Sequence, residues 1–198
     1  MRLDRALLVA AALLATVPAA DGNVLARTRL EQILSGFDYL PSRAALEQAL
    51  AGDLSQLLVM INSSDPAVTV GMRARAYRAL GQFPDNIARA ALTSAVVAFR
   101  DSDDRLERIY LMAAIEGLGE NGGTDAVPAL AANLTSELRD VRAAAALALA
   151  ATSSPAACSP LRVQNTRETN PQVKAALQTA LDRIDPMCLA SGPPATGR

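Results

Sequence analysis

The stretch Asp140-Val141-Arg142-Ala143-Ala144-Ala145-Ala146-Leu147 decides the fold. It places an acidic residue before a run of Ala and Leu, which are strong helix formers, and so predicts a helix that begins near Asp140. Related phrases begin at Asp65, Asp104 and Asn170. Asp104 and Asp140 are 36 positions apart, and Asp140 and Asn170 are 30 apart. Periods in this range, with two helices in each unit, predict an all-α protein: an α-solenoid of stacked antiparallel helix pairs.

The apolar residues within each unit follow helical spacing. One stripe, in which successive members are four positions apart, consists of Val68, Met72, Ala76 and Leu80. Residues at this spacing share one face of a helix, and no segment alternates with period two, so strands are not predicted. Side chains suited to capping precede several helices: Ser42, Asp53, Asp103 or Asp104, and Thr124 or Asp125.

The composition of the chain excludes several classes of function. The chain has 198 residues, of which 51% are apolar, and this length favours a single domain with a sizeable core. Lys and Arg number 19 against 20 Asp and Glu, with no basic block, so nucleic acid is not an expected partner. The sequence contains no His, which excludes Ser–His and Cys–His catalysis and His-ligated zinc. Catalysis by carboxylates or Arg is left open by this count, but no carboxylate arrangement suited to it is recognisable. We therefore expect no catalytic residues, no cofactor and no metal, and the protein is predicted not to be an enzyme.

The N-terminal segment has the pattern of an export signal. Arg2 and Arg5 precede the apolar run ALLVAAALLA, and Val17-Pro18-Ala19 forms a small-residue exit. This pattern predicts a signal peptide over residues 1–20, cleaved near Ala19, and an exported, periplasmic or secreted protein. The alternative interpretation is an amphipathic first helix. No stretch is long enough for a membrane span, which needs about 20 apolar residues.

The remaining chain is predicted to form one α-helical repeat domain over residues 21–189. It comprises N-terminal cap helices over 24–52 and repeats over about 53–187, followed by a disordered tail over 190–198 with Gly192-Pro193-Pro194. The two cysteines, Cys158 and Cys188, are predicted to form a disulfide, because a cysteine pair in an exported chain is usually bridged. The alternative is two buried thiols that pack like small apolar side chains.

The phrases at Asp140–Leu147 and Thr124–Leu130 resemble HEAT repeats, especially the short class named after the phycobilisome lyases. The resemblance covers roughly residues 53–185 and implies a protein-binding scaffold. The di-iron enzymes built on such repeats use His–Glu pairs and are excluded by the absence of His, and no bilin-site motif is recognisable. One departure is the polar run Gln164-Asn165-Thr166-Arg167-Glu168, which predicts a shortened helix after Pro160.

The resemblance also implies that the second helix of each unit lines a concave side. The candidate partner-binding residues on these helices are Arg89, Thr93, Arg100, Asn133, Ser136 and Glu137. The alternative is that they are the solvated faces of amphipathic helices.

Two interpretations of function remain open from the sequence. The first is a non-catalytic interaction scaffold outside the cytoplasm that binds another protein, of unknown identity, along the concave helix row. The second is an accessory or ligand-recognition subunit of an enzyme system, with the chemistry in the partner. A shallow open groove would favour the first, and a deep pocket with convergent acids the second. The oligomeric state does not follow from the sequence.

Overall fold

The computed structural model describes residues 23–36 and 40–190. Within these ranges every regular element is helical and no strand occurs, so the predicted all-α helical-repeat fold is confirmed. In chain order the α-helices are α1 Asn23–Leu34, α2 Arg43–Leu50, α3 Ser55–Ile61, α4 Val70–Gly81, α5 Asn86–Phe99, α6 Arg105–Asn121, α7 Val127–Ala131, α8 Arg139–Ala151, α9 Cys158–Arg167 and α10 Pro171–Ala190. The 3₁₀ turns are Thr124–Ala126, Ala132–Thr135 and Pro155–Ala157.

The chain divides into two compact units, residues 1–117 and 118–198. Helices α1 and α2 lie in the segment predicted to cap the N-terminus. The signal peptide predicted for residues 1–20 lies outside the described residues. The predicted tail over 190–198 also lies outside them, apart from Ala190, which is the last residue of α10. The prediction of one domain over residues 21–189 stays a prediction.

Polar side chains start several of the helices, as the sequence predicts. The Ala45 amide donates to the Ser42 hydroxyl at 3.3 Å, before α2. Asp104 Oδ1 accepts from the amides of Leu106 at 2.6 Å and Glu107 at 3.1 Å, before α6. Each bond satisfies an amide that the helix itself leaves without a partner, which fixes where the helix begins.

One predicted cap is replaced by a different arrangement. The helix pair that follows Gly123 begins with the 3₁₀ turn Thr124–Ala126, which has no side-chain cap bond. The Thr124 hydroxyl instead lies 3.0 Å from the Ser154 hydroxyl, and Ser154 accepts from the Ala156 amide at 3.3 Å. Thr124 therefore joins two connecting turns instead of capping its own helix.

The predicted apolar stripe that leads into α4 and continues along it is buried. Val68, Met72, Ala76 and Leu80 are each less than a tenth exposed, and Ala145 and Leu149 of α8 are fully buried. Beside the α4 stripe, the rings of Tyr77, Phe99 and Tyr110 pack against one another with centroids 6.0–6.4 Å apart. Helical periodicity thus identifies the core of both units correctly.

Glycine allows α4 and α6 to pack backbone against backbone. A Cβ built on Gly117 would lie 2.5 Å from the Tyr77 carbonyl oxygen, and one built on Gly81 would lie 2.6 Å from the Gly117 Cα. Real Cβ atoms do not approach so closely, so side chains larger than hydrogen would force the two helices apart.

The predicted shortening of the helix after Pro160 is wrong. Helix α9 runs over Cys158–Arg167 and so continues through the polar run. Its end is held by polar contacts, since Gln164 Nε2 donates to the buried Glu168 carboxylate at 3.2 Å. The helix therefore continues through the polar run because its polar residues have hydrogen-bond partners at the helix end. The prediction of a shortened helix considered only the loss of the apolar stripe.

Candidate functional site

The candidate residues of the first unit lie along α5 and at its end. Arg89 and Thr93 are partly buried, and Arg89 donates to Asn86 Oδ1 at 3.1 Å. Arg100, just past the last residue of α5, is exposed and pairs with Asp101 at 3.3 Å. Of these three predicted residues, Arg100 is the one whose side chain is mainly available to a partner.

Asn133, a candidate of the second unit, is wrongly predicted as a surface residue. Its side chain is fully buried, and its amide nitrogen donates to the Ala129 carbonyl at 2.9 Å. The physical reason is that α7 ends at Ala131 and continues as the 3₁₀ turn Ala132–Thr135. A 3₁₀ turn has about three residues per turn where an α-helix has 3.6, so the faces inferred from α-helical spacing are displaced.

Ser136 and Glu137 lie in the connection between this turn and α8. The Ser136 hydroxyl accepts from the Leu138 amide at 3.3 Å. The Ser136 and Glu137 carbonyls accept from Arg142 Nη1 at 2.9 Å and 3.2 Å. The backbone of both residues is thus engaged in local structure, whereas the Glu137 side chain is exposed.

One exposed apolar feature of α5 was not predicted from the sequence. Four small or apolar residues form one exposed stripe along α5: Ile87, Ala90, Ser94 and Val97. Ile87 is 56% exposed and Val97 is 58% exposed. The opposite face of the same helix is buried through Ala88, Ala91, Leu92, Ala95 and Val96. Both the buried and the exposed face of α5 are therefore uncharged and largely apolar. The one charged residue of the helix, Arg89, lies between the two faces.

A signal for this stripe was present in the sequence. A helix at the surface normally carries charged residues opposite its apolar face, whereas a helix that is apolar all round is covered on both sides. Helix α5 has Arg89 as its one charged residue over 14 positions. The predicted contact residues Arg89 and Thr93 lie beside the apolar stripe and do not include it.

The two ends of α5 carry opposite charges. Asp85 caps the helix, and its Oδ1 accepts from the amides of Ile87 at 2.7 Å and Ala88 at 3.2 Å. Arg100 follows the last residue of the helix. The exposed stripe is thus an uncharged surface with an acid near its start and a base at its end.

A buried ion pair organises the second unit. Arg142 of α8 donates to Glu168 through Nε at 2.8 Å and Nη2 at 3.1 Å, and the Glu168 side chain is 4% exposed. Glu168 also accepts from the amide of Asn170 at 2.9 Å. The hydrogen bonds from Arg142, followed by those from Asn170 and Gln164, outweigh the effect of burial and lower the pKa of Glu168 from 4.5 to about 2. The carboxylate is accordingly charged at neutral pH and bound to the loop before α10.

The two cysteines are bridged, consistent with the predicted disulfide. The Cα atoms of Cys158 and Cys188 are 5.7 Å apart, within the range of a disulfide, and both residues are buried. The bond joins the first residue of α9 to the last turns of α10.

Two acidic residues, Asp104 and Glu116, have structural roles. Asp104 caps α6, and Glu116 is about half exposed and pairs with Arg78 of α4. Among the residues that the structure describes, no three His, Cys, Asp or Glu side chains group closely enough to hold a metal ion.

No single helix within residues 23–36 and 40–190 is long and apolar enough to cross a bilayer. The pair α2 and α3 meets the length and composition criteria only when the two are counted together, and they are bent by 96°.

Comparison with known proteins supports the repeat assignment. No curated protein matches the chain. The finer resemblance to the short class named after the phycobilisome lyases is not confirmed. Residues 107–182, which extend from α6 to α10, match the family described as HEAT repeats, and this region is similar to the repeats of that family.

Proposed function

We propose that the protein is a non-catalytic interaction scaffold, exported from the cytoplasm, that binds a partner protein through the concave row of second helices, above all through α5. HEAT repeats suggest a protein-interaction scaffold in general. The observation that carries the specific proposal is the exposed stripe of Ile87, Ala90, Ser94 and Val97 on α5.

Helix α5 leaves apolar surface exposed to water. Burial of apolar surface contributes about 25 cal/mol per Å². A partner that covers two branched side chains, each more than half exposed, therefore gains binding free energy from their burial. Ile87 and Val97 lie ten positions apart and, with the smaller Ala90 and Ser94 between them, form one strip. An uncharged centre with charged residues at its rim is typical of protein interfaces, and here Asp85 and Arg100 supply the rim.

The predicted contact residues Arg89, Thr93 and Arg100 lie around this stripe. Arg100 is exposed at the end of α5 and can contact an acidic group of the partner. Arg89 and Thr93 are partly buried and flank the stripe along one side. Charges at such a rim steer association and set orientation more than they add affinity.

Export is supported by the sequence pattern of residues 1–20 and by the Cys158–Cys188 bond. Structural disulfides persist mainly in oxidising compartments such as the periplasm or the exterior. N-terminal sequencing of the protein recovered outside the cytoplasm should give a chain that begins at Ala20. Material that begins at Met1 would contradict export by cleavage.

The partner-binding proposal is tested by affinity capture from the periplasmic or secreted fraction of the producing cell, followed by mass spectrometry. The test variant is Val97→Glu, which places a charge in the stripe of α5. The matched control is Leu147→Glu, because Leu147 is 45% exposed on α8, a first helix of its pair. We expect a protein that is enriched by the wild type and by Leu147→Glu but not by Val97→Glu. Equal enrichment by both variants would contradict the assignment to α5.

A further inference from the structure

We infer that one partner of the α5 stripe is a second copy of this chain, paired antiparallel about a two-fold axis that passes the exposed face of α5 at the level of position 92. The inference rests on the proposed function, because it names the occupant of the same surface. Three features of α5 support it: the symmetry of its exposed residues, their helical spacing and the charges at its ends.

The four residues of the stripe are arranged symmetrically about position 92, and the exposed Asn86 at the start of the helix lies outside this set. Ile87 and Val97 lie five positions on either side of it, and Ala90 and Ser94 lie two positions on either side. In an antiparallel pairing, Ile87 therefore lies opposite Val97 of the second copy, and Ala90 lies opposite Ser94 of the second copy. A two-fold interface requires such a surface, in which residue i contacts j and j contacts i.

The sizes of these residues suit two helices that cross. Helices packed at an angle approach most closely at the crossing point and diverge toward their ends. The small Ala90 and Ser94 lie at the centre of the stripe, and the larger Ile87 and Val97 lie at its ends, each more than half exposed. Small side chains permit the close central approach, and the larger ones fill the widening gaps.

The spacing is that of a helix–helix seam. Successive members of the stripe are three, four and three positions apart, the pattern of alternating a and d positions in paired helices. The opposite face of α5 is buried in its own unit, so the helix is fixed with this seam directed outward.

The end charges select the antiparallel direction. Antiparallel pairing brings Arg100 of each copy close to Asp85 of the other, whereas parallel pairing brings like charges together. Within its own copy Arg100 contacts Asp101 at 3.3 Å, and the Arg100 and Asp101 side chains are 41% and 73% exposed. This contact is open to solvent, which leaves the guanidinium able to reach a second carboxylate. Both cap bonds of Asp85 go to Oδ1, so the second carboxylate oxygen takes no part in the cap.

The association should be weak. A helix of 14 residues is about 21 Å long, and a single pair of such helices buries less surface than the interfaces of stable dimers. The dimer is thus expected to form in a concentration-dependent manner and to leave α5 available to other partners at low concentration.

Sedimentation equilibrium of the full chain, from about 10 µM to about 1 mM, tests the inference. The wild type should dimerise reversibly over this range, which brackets the weak end of specific association. Ala90→Arg and Ser94→Glu should each raise the dissociation constant at least tenfold, because each places an uncompensated charge in the seam. The matched control is Ala175→Glu, at an exposed position of α10, which should leave the constant unchanged.

A mixture of the two variants is the sharpest test. The arginine introduced at position 90 then faces the glutamate introduced at position 94 of the other copy, so the mixture should associate more tightly than either variant alone. A monomer at every concentration, a dimer that neither substitution weakens, or a mixture without recovery would each overturn the inference.

Failure of this inference is distinguishable from failure of the proposed function. A chain that stays monomeric, yet captures a different protein that Val97→Glu no longer captures, overturns the second copy as occupant and leaves the scaffold proposal intact. A chain that stays monomeric and captures nothing overturns both.

Discussion

Arg142 and Glu168 are 26 positions apart in the chain and form a two-bond ion pair, with Nε and Nη2 donating at 2.8 Å and 3.1 Å. The pair connects α8 to the loop between α9 and α10, and the two side chains are 17% and 4% exposed. Arg142 Nη1 also donates to the carbonyls of Ser136 and Glu137, so one guanidinium holds the loops before α8 and before α10.

The first prediction is that Arg142→Ala destabilises the second unit by about 3 kcal/mol, since removal of one partner leaves a buried carboxylate without its main donor. Urea unfolding followed by circular dichroism measures this change. The matched control is Arg139→Ala on the same helix. Arg139 is 57% exposed and pairs with Asp140 at 3.4 Å, so its loss should cost less than about 1 kcal/mol. Equal losses for the two variants would show that the buried pair has no special role.

The second prediction concerns acid. The pKa of Glu168 is lowered from 4.5 to about 2 in the folded protein, chiefly by the hydrogen bonds from Arg142. A lowered folded-state pKa means that the unfolded chain binds the proton first as the pH falls. The stability that this group contributes is therefore fully present above about pH 4.5 and is lost as the pH falls through about 2.

The matched comparison for this prediction is Glu168→Gln, which has no carboxylate to titrate. The difference in free energy of unfolding between the wild type and this variant should be largest above about pH 4.5 and should shrink toward pH 2. A difference that stays constant over this interval would mean that Glu168 is not the group responsible.

Local features of this fold can be predicted from the sequence, whereas contacts between distant segments cannot. Helix positions, buried stripes and the caps at Ser42 and Asp104 follow from local spacing and side-chain chemistry, which the sequence carries directly. The Arg142–Glu168 pair was not predicted, because it depends on how α8 packs beside the loop before α10. Asn133 was misplaced because a switch from α to 3₁₀ geometry displaces every residue that follows.

The exposed stripe of α5 was missed for a different reason. Apolar residues are ordinarily assigned to the core, and Val97 cannot be told from the buried Val96 by residue type alone. Only the position of neighbouring helices decides which of the two faces water. The disulfide pair, in contrast, is predictable from the sequence, because two cysteines leave a single possible partner for each.

The third prediction concerns the close approach of α4 and α6. Gly117→Ala should destabilise by more than about 2 kcal/mol, because its Cβ would lie 2.5 Å from the Tyr77 carbonyl oxygen and the clash involves backbone on the other side. The matched control is Gly71→Ala, near the start of α4. There the atoms nearest to the new Cβ belong to the Arg75 guanidinium, at 3.2 Å. This group is a side chain and not backbone, although its Nε donates to the Leu34 carbonyl, and the higher helix propensity of Ala offsets the contact.

Thermal unfolding of both glycine variants distinguishes the two effects. The melting temperature should fall by several degrees for Gly117→Ala and should change little or rise for Gly71→Ala. A similar change for both would mean that helix propensity, and not the close approach of α4 and α6, decides the outcome.

The fourth prediction is that the Cys158–Cys188 bond stabilises the C-terminal end of the second unit. The cysteines are 30 positions apart, and closing a loop of this length restricts the unfolded chain by about 3–4 kcal/mol in the chain-entropy account. Both residues are buried, so the bond also adds covered apolar surface beside the last turns of α10.

A double Cys158→Ala, Cys188→Ala variant should therefore lose about 3 kcal/mol of unfolding free energy. The wild type should lose a similar amount when it is reduced and alkylated under conditions that open the bond. Mass spectrometry of wild-type protein from an oxidising compartment checks the premise, since two alkylatable thiols in the unfolded, unreduced chain would contradict the bond itself.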